Sequence, residues 1–484
     1  METAEGTKAL VDLEDRRPSV LFETFGGSDV HAWPFLRWPM AQSMAEVELG
    51  QSSVGSHLST TDRVRRLFAL SSPNARGWKR APHRDVLFVV SGHRIASVDG
   101  RWAEWLIGEF ASSHSSQSVI VQDRPLPRQR SSRSGLPLFP DTYSSYDEEV
   151  MAGIRMKLRP LTEDEKRRTA RFVAAAYREL DFPVDQERIE VATRKVLRNQ
   201  AKYTSMARTF ERLLERVSPR LVVMDGASYG GIRGLQTRIA RERGILVAEP
   251  QHGWIGSSHG AYNFGAAMSE EPLRGYLPDD LLTFGRYWSS SIRTPSNTIE
   301  IGKAHIARLS ATAPPWQERT KAVLVASNAY RPAELIATAR QIRDALPPDW
   351  HVIFRPHPSE RWMGRYDELH GEDRITLDPK ADVYASLATV RGVVSYASTV
   401  LFEAAALGCP PFVLDSPLAN LYVTHPAVNN RITDSADLTA AMVALAAQPS
   451  APQSSAADLE SLWHPDPIGA YDDYVTSVLG TSSH

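Results

Sequence analysis

The chain alternates, along most of its length, between short apolar runs and helix-like stretches. Each run is rich in β-branched residues and ends in a loop of small residues, proline or glycine. Strands of a parallel sheet that is covered on both faces are apolar along their whole length, so this pattern predicts such sheets. The predicted strands form two series, at 19–22, 85–90, 118–121, 221–224, 245–248 and 281–284, and then at 322–326, 351–354, 375–377, 392–394 and 411–414.

The two series of predicted strands indicate two domains. Doubly wound α/β domains of the Rossmann type have this repeated strand–helix order, so we expect two of them facing across a cleft. A small, proline-rich segment at 311–315 separates the series, and the low-complexity segment 448–457 is a second connector. We expect an N-terminal domain at 1–312, a C-terminal domain at 316–447, and a linker with a terminal helix at 448–484 that packs back on the body.

Charge, cysteine content and hydropathy exclude several classes of protein. The chain has 57 acidic and 55 basic residues and a net charge of −2, which excludes a strongly basic nucleic-acid-binding surface as its main feature. The single cysteine, Cys409, excludes a disulfide framework and a cysteine zinc site. No apolar run approaches the ~18 residues of a membrane helix, and residues 1–20 lack the apolar core of a secretory signal. We expect a cytoplasmic protein that meets a membrane, if at all, only at its surface.

The loops after the strands are where an open α/β sheet binds its ligands. The strand that ends at Phe354 runs into Arg355-Pro356-His357-Pro358, in which the two prolines hold the backbone on both sides of the imidazole. A rigid loop that presents Arg355 and His357 together suits a phosphate or diphosphate. The competing interpretation is a proline-stiffened turn whose histidine hydrogen-bonds a carbonyl group.

A second candidate site follows the predicted strand 392–394. Ser398 and Thr399 stand at the start of a short Ala-rich helix, and a helix N-terminus with free N–H groups and two hydroxyls binds anions readily. Glu403 lies about one turn inside the helix, where a carboxylate can hold a ribose diol. The competing interpretation is a plain helix cap, and Ser398 can serve both purposes.

Two further loops carry candidate catalytic groups. His252 follows the strand 245–248, and an imidazole at the edge of a cleft can take a proton from an attacking hydroxyl at neutral pH. A histidine hydrogen-bonded inside its loop is an equal alternative for His252 and the favoured one for His259. Asp225, after the strand 221–224, can orient His252, act as a base or cap the next helix, and the helix cap is the favoured role of the three. The glycine-rich loop that follows does not match GxGxxG, so we expect no nicotinamide or flavin cofactor, and no motif favours a metal.

Five segments occur in an order that resembles a known family. They are PQHG at 250–253, LLTFGRYW at 281–288, IEIGKAH at 299–305, FRPHP at 354–358 and SYASTVLFEAAALGCPPFVLD at 395–415. Together they resemble the bacterial surface-polysaccharide transferases of the GT-B fold. That group includes the CDP-glycerol glycerophosphotransferases of teichoic-acid synthesis, capsule polysaccharide transferases and bacterial polysialyltransferases. The resemblance covers about residues 221–414 and implies two Rossmann-like domains that face each other across a cleft.

The resemblance also implies roles for individual residues. In that family the HP histidine and the serine/threonine motif contact the donor phosphate. The resemblance implies the same role here for His357, Ser398 and Thr399. The histidine of the HG motif serves as a base or transition-state contact, and its match here is His252. The sequence departs from the family twice. Only Asp225 remains of the acidic pair of polysialyltransferases, and the Trp-His-Gly-Thr of glycerophosphotransferases is Gln-His-Gly-Trp here.

We therefore predict a metal-independent transferase that moves a sugar or glycerol-phosphate unit from a CDP/CMP- or UDP-type donor to a hydroxyl of a surface glycan or lipid-linked acceptor. The predicted catalytic residues are His252, Asp225 and His357, and the predicted donor-binding residues are Arg355, His357, Ser398, Thr399, Glu403 and Ser327. The expected partners are donor and acceptor, with peripheral contact to the inner membrane face and no nucleic acid or cofactor. Two other classes stay open: a sugar-nucleotide epimerase or hydrolase of the same fold, and a non-catalytic sugar- or nucleotide-binding subunit of a polysaccharide assembly complex.

Overall fold

A computed structural model describes most of the chain, which forms two compact units. The described residues are 4–49, 77–92, 95–98, 101–124, 142–328, 330–357, 360, 364–378, 383–451 and 455–480. The N-terminal unit contains the described residues within 4–283, together with 291–300 and 468–480. The C-terminal unit contains Phe284–Ser290 and the described residues of Ile301–Pro467.

The N-terminal unit is built on a seven-stranded parallel sheet with the strand order β5-β4-β1-β6-β7-β8-β9. The chain runs from the central strand β1 outward to β5 and then returns to the other side of β1 with β6. The carboxyl ends of β1 and β6 therefore flank the point where the strand order reverses, which is where such sheets bind ligands. A separate antiparallel hairpin pairs β2 with β3. The strands are β1 (Val86–Val90), β2 (Ile95–Val98), β3 (Arg101–Glu104), β4 (Ser118–Gln122), β5 (Thr142–Ser144), β6 (Leu221–Met224), β7 (Leu246–Pro250), β8 (Asp280–Thr283) and β9 (Asn297–Glu300).

The C-terminal unit is built on a six-stranded parallel sheet with the order β12-β11-β10-β13-β14-β15. Here the strand order reverses between β10 and β13. Every residue of β10, β13 and β14 is buried, as expected for central strands that are covered on both faces. The strands are β10 (Ala322–Ala326), β11 (His351–Arg355), β12 (Ile375–Leu377), β13 (Gly392–Ser395), β14 (Pro411–Leu414) and β15 (Asn430–Ile432).

Helices connect the strands, as a parallel sheet requires. The longest, α6, begins after Asp185, whose carboxylate accepts a hydrogen bond from the Arg188 N–H as an N-cap. The helices are α1 (Glu5–Arg16), α2 (Trp33–Glu48), α3 (Gly108–Ser113), α4 (Tyr146–Leu158), α5 (Glu163–Glu179), α6 (Gln186–Val217), α7 (Gly231–Glu242), α8 (Arg286–Ser289), α9 (Ala304–Thr312), α10 (Pro332–Ala345), α11 (Tyr384–Leu387), α12 (Thr399–Ala406), α13 (Pro417–Tyr422), α14 (Ser435–Ala447), α15 (Ala456–Leu462) and α16 (Pro467–Gly480). Within the described ranges, each helix is too short or too polar to span a bilayer.

The predicted fold class is confirmed, because both sheets are parallel and helix-flanked. One predicted strand is wrong: Ser19–Phe22 is a 3₁₀ helix in which Val20 and Leu21 are buried. A four-residue apolar run has no periodicity that distinguishes a strand from a buried helical turn. The edge strands β5, β9 and β15 were not predicted, because their partly exposed, polar residues lack the apolar signature of the central strands.

The units divide the chain differently from the predicted boundary at 312–316, which lies inside the C-terminal unit. The segment Phe284–Ser290 belongs to this unit because Trp288 packs against Phe402 at 4.9 Å between ring centroids and donates its indole N–H to the Leu462 carbonyl. The terminal helix α16 packs on the N-terminal unit, where the ring of Tyr471 lies 4.8 Å from that of Phe110.

Candidate functional sites

Asp225 and His252 lie together at the carboxyl edge of the N-terminal sheet. Asp225 directly follows β6 and His252 follows the neighbouring strand β7. The His252 Nδ1 is 3.6 Å from Asp225 Oδ1, which is within ion-pair range. The Asp225 side chain is 5% exposed, whereas that of His252 is 20% exposed. The imidazole therefore keeps a face that a ligand can reach, with a buried carboxylate behind it.

Ser91 holds the other oxygen of the same carboxylate. It follows β1, and its Oγ donates a hydrogen bond of 2.7 Å to Asp225 Oδ2. Because β1 and β6 flank the reversal of strand order, this hydrogen bond spans the predicted ligand-binding point of the sheet. Ser91 was not among the predicted site residues, although its position directly after a buried strand was a usable signal.

Tyr229 lies on the other side of His252. Its hydroxyl is 3.2 Å from His252 Nε2 and 3.3 Å from His259 Nε2, so it can hydrogen-bond either ring. His259 accepts a hydrogen bond from the Ala261 N–H and stacks on Trp38 at 5.6 Å. Burial, together with the nearby His252, lowers the pKa of His259 to about 3, so this ring is neutral at physiological pH. These contacts agree with the interpretation of His259 as a histidine bonded within its loop.

Glu249 is a buried carboxyl group in β7 that the sequence analysis did not use. It accepts hydrogen bonds from the Ser228 N–H at 2.7 Å and from the Tyr262 hydroxyl at 2.9 Å. Burial is the main cause that raises its pKa to about 7, and the negative charge of Asp225 adds to the effect. An acidic residue inside an otherwise apolar strand was the available sequence signal.

In the C-terminal unit, His357 and the start of α12 lie at the same edge of the sheet. His357 is exposed and follows β11, while Ser398 and Thr399 follow β13. Both strands pair with β10, so their ends are two strand spacings, about 10 Å, apart. Ser398 is the N-cap of α12, since its Oγ accepts a hydrogen bond from the Val400 N–H. The neighbouring Pro358 lies outside the described residues.

Arg355 is placed differently from the expectation that the loop presents it beside His357. Its side chain is 6% exposed and its Nη1 forms a 2.6 Å ion pair with Asp378, whose carboxylate also accepts a hydrogen bond from Ser386. Arg355 is the last residue of β11 and Asp378 follows the adjacent β12, so the two side chains meet at the sheet edge. The guanidinium is occupied inside the unit, and phosphate binding by Arg355 stays a prediction.

Glu403 is likewise held inside the C-terminal unit. Its Oε1 is 2.5 Å from Lys303 Nζ and accepts a 3.0 Å hydrogen bond from the Tyr384 hydroxyl. The Lys303 and Glu403 side chains are 2% and 5% exposed. This pair connects α12 to the residue before α9, and the predicted contact of Glu403 with a nucleoside stays untested.

Ser327, which follows β10, is part of a buried hydrogen-bonded group. Its Oγ donates to Glu360 Oε2 at 2.6 Å and lies 2.7 Å from the Tyr366 hydroxyl, which also bonds Glu360. Ser327 thus lies at the same sheet edge as His357 and Ser398, but its hydroxyl points into the unit.

Groups suited to metal or thiol chemistry are scarce in the described parts of the chain. Among those residues, no three histidine, cysteine, aspartate or glutamate side chains are grouped so that they could hold a metal ion. Cys409 is buried, and burial raises the pKa of its thiol to about 12, as expected for a cysteine that packs as a small apolar residue.

No protein-family model and no curated protein matches the sequence. The similar solved structures include the putative UDP-N-acetylglucosamine 2-epimerase of Listeria monocytogenes, with 11% identity over 83% of this chain and 97% of that chain and a TM-score of 0.47. The S. aureus MnaA–UDP structure has 11% identity over 83% and 98% of the two chains and a TM-score of 0.47. The glycotransferase of kitacinnamycin has 16% identity over 81% and 98%, with a TM-score of 0.44. Similarity at this level assigns no chemistry to the chain.

Proposed function

We propose that the protein is a transferase that moves a group from a nucleotide-activated donor to a hydroxyl of a carbohydrate-type acceptor. The observation that carries this proposal is the placement of a half-buried imidazole, His252, against the buried Asp225 carboxylate at the strand-order reversal of the N-terminal sheet. A carboxylate beside one ring nitrogen favours the proton on that nitrogen and leaves the other as a base.

In this proposal His252 Nε2 takes the proton of the acceptor hydroxyl, directly or through Tyr229. The charge of Asp225, 3.6 Å from Nδ1, favours the proton on that nitrogen and stabilises the imidazolium that forms, and Ser91 fixes the carboxylate. The acceptor oxygen forms a bond to the transferred group as the bond from that group to the nucleotide phosphate breaks. The electron pair of the broken bond leaves with the phosphate oxygen.

The C-terminal unit, taken by itself, has candidate contacts for a donor phosphate. His357, Ser398 and Thr399 lie at one sheet edge, and the N–H groups that begin α12 favour negative charge. Donors aimed at the leaving phosphate stabilise the charge that builds there, by about 3 kcal/mol for a well-placed group. Arg355 and Glu403 have an indirect, structural role in this proposal. The Arg355–Asp378 ion pair joins the ends of β11 and β12. The Glu403–Lys303 ion pair joins α12 to the residue before α9.

The test is donor turnover by the purified full-length chain. A panel of UDP-, CDP- and CMP-activated donors, with and without glycan acceptors, is followed by nucleotide release and by mass spectrometry of the product. We expect release that depends on acceptor, and a loss of at least about 100-fold in His252→Gln. The matched control is His114→Gln, because His114 also pairs with an aspartate, Asp472, but beside α3 at the amino edge of the same sheet.

The donor site has its own matched pair of variants. His357→Gln is expected to weaken donor binding or turnover by about tenfold or more. His351→Gln, a change of the exposed histidine at the opposite end of β11, is expected to behave as wild type. If His357→Gln keeps the full transfer rate, His357 does not bind the donor. If no donor is turned over by the wild-type chain, the transferase proposal is refuted.

A second candidate function is a sugar-nucleotide epimerase or hydrolase. It is favoured by one observation: the buried Asp225 carboxylate lies beside His252, and its charge also acts on a second buried carboxyl group, Glu249. Reactions at a sugar ring commonly use two carboxyl groups. Incubation with UDP-N-acetylglucosamine alone separates the two candidates. An epimer or free sugar without any acceptor supports the second function, whereas an intact donor until acceptor is added supports transfer.

A further inference from the structure

The N-terminal unit contains a cavity that the catalytic groups do not use. It has a volume of about 270 Å³ and lies between the carboxyl ends of β1 and β4 and the helices α4, α6 and α7. This is slightly below the ~300–1,000 Å³ range of pockets for drug-sized ligands, so it suits a single small ring rather than an extended chain. We propose that this cavity binds one neutral sugar ring through its hydroxyl groups.

The lining of the cavity combines apolar and polar side chains. Val89, Val121 and Phe210 are among the apolar ones. Asp123 and Gln236 are among the polar groups, which bring carboxylate, ammonium, guanidinium and amide atoms to the same space. A sugar ring presents C–H groups on its faces and hydroxyls around its rim, so a lining that offers both apolar and polar groups suits it.

The polar groups are held in position by one another. Lys202, which is only 9% exposed at its side chain, pairs with Glu149 at 2.7 Å. Arg233 pairs with Asp123 at 3.4 Å and donates to Gln236 Oε1 at 3.1 Å. Because these side chains are already ordered, a ligand that hydrogen-bonds them loses little binding free energy in fixing them.

The charge of the lining favours a neutral ligand. Among the described residues, the lining contains three carboxylates, Asp123, Glu148 and Glu149, and two cations, Lys202 and Arg233. Both cations are engaged with these acids, so the described lining offers no excess positive charge to select a phosphate or an acidic sugar. Carboxylates accept hydrogen bonds from sugar hydroxyls, while the amide of Gln236 can both accept and donate.

The cavity lies at the same edge of the N-terminal sheet as Asp225 and His252. Asp123 follows β4 and Asp225 follows β6, with β1 between them. Burial is the main cause that raises the pKa of Asp123, and the negative charges of Glu149 and Asp225 add to it. If the proposed transferase function holds, the sugar bound here is the acceptor, and this part of the inference rests on that function.

The test is binding of methyl glycosides of glucose, galactose and N-acetylglucosamine to the full chain, measured by saturation-transfer NMR and calorimetry. N-acetylneuraminic acid and inorganic phosphate are the charged probes. We expect at least one neutral glycoside to bind, and Asp123→Asn and Gln236→Leu each to weaken its binding about tenfold or more. Asp29→Asn is the matched control, because Asp29 pairs with Arg238 on the same helix α7 but does not line the cavity.

Each outcome decides the proposal. Absence of binding by all three neutral glycosides, preference for either charged probe, or unchanged affinity in both folded cavity variants overturns it. Thermal unfolding shows which variants are folded, and Gln236→Leu decides the test if Asp123→Asn is not folded. Sugar binding without any donor turnover would refute the transferase but leave the cavity assignment, whereas transfer unaffected by the two variants would refute the cavity as the acceptor site.

Discussion

The Ser91 hydroxyl donates a 2.7 Å hydrogen bond to Asp225 across the reversal of strand order in the N-terminal sheet. The two residues are separated by 134 positions in the sequence and are brought together because β1 and β6 are neighbours. This contact leaves the second carboxylate oxygen facing His252. It therefore sets the orientation of the proposed base.

Replacement of Ser91 by alanine is expected to lower kcat while leaving the fold intact. Loss of one hydrogen bond to a charged group, about 1.5 kcal/mol, corresponds to about a tenfold fall in rate. Steady-state rates with the accepted donor measure the effect. The control is Ser113→Ala, since Ser113 also donates to an aspartate, Asp472, at 3.3 Å beside the amino edge of the sheet. Equal rates in the two variants would contradict the positioning role.

Replacement of Glu249 by glutamine is expected to change how stability depends on pH. Because the folded pKa is raised from 4.5 to about 7, the folded state holds a proton that the unfolded state releases, so wild-type stability falls as pH rises from about 4.5 to 7. The contribution lost is on the order of 3 kcal/mol. Urea unfolding at pH 5, 6, 7 and 8 should show that the free energy of unfolding of the variant increases relative to that of wild type as the pH rises.

The comparison needs a control, because other groups titrate over the same range. Glu179→Gln alters an exposed glutamate at the end of α5. We expect its free energy of unfolding to equal that of wild type at every pH. The free energies of unfolding of Glu249→Gln and wild type are compared at each pH. If their difference stays constant from pH 5 to 8, the raised pKa of Glu249 in the folded protein is contradicted.

Replacement of His259 by glutamine is expected to have the opposite pH dependence. Its folded pKa lies near 3, below the ordinary 6.5, so the stability that neutral His259 contributes is present above pH 6.5 and is lost as pH falls toward 3. At pH 4 the wild-type free energy of unfolding is lower by on the order of 3 kcal/mol for this reason. The variant has no imidazole at this position, so this decrease should be absent from it. Chemical unfolding between pH 4 and 8 measures this, with the exposed His351→Gln as the control. A variant that loses as much stability in acid as wild type would contradict the buried, neutral assignment.

Replacement of Lys303 by methionine is expected to destabilise the C-terminal unit strongly. The change leaves the buried Glu403 carboxylate without its cation, which typically costs about 3–5 kcal/mol. Lys321→Met is the control, since Lys321 and Asp349 form an exposed pair, and little change in Tm is expected there. Thermal and urea unfolding measure both variants. Equal small effects would mean that the Lys303–Glu403 pair is not a structural element of the unit.

Much of the fold follows from local sequence patterns. The strands at Leu221–Met224, Ala322–Ala326, Ile375–Leu377 and Pro411–Leu414 are observed at the predicted bounds, because each is a short apolar run bounded by strong turn signals. The loops that hold Asp225 and His252 could be selected for the same reason: they follow such runs. The run at 19–22 was selected in the same way but forms a 3₁₀ helix, because a four-residue apolar run does not distinguish a strand from a buried helical turn.

The sequence by itself determined the two parallel sheets and the loops at their carboxyl ends, since apolar periodicity and turn residues act over a few neighbouring positions. Only the tertiary structure decided which polar groups meet. Arg355 pairs with Asp378, Glu403 pairs with Lys303 from 100 residues away, and Ser91 reaches Asp225. Those pairings depend on strand order and on which charges must be neutralised when they are buried. No local pattern encodes either of these, so a residue predicted to bind a ligand can instead be committed to a buried partner.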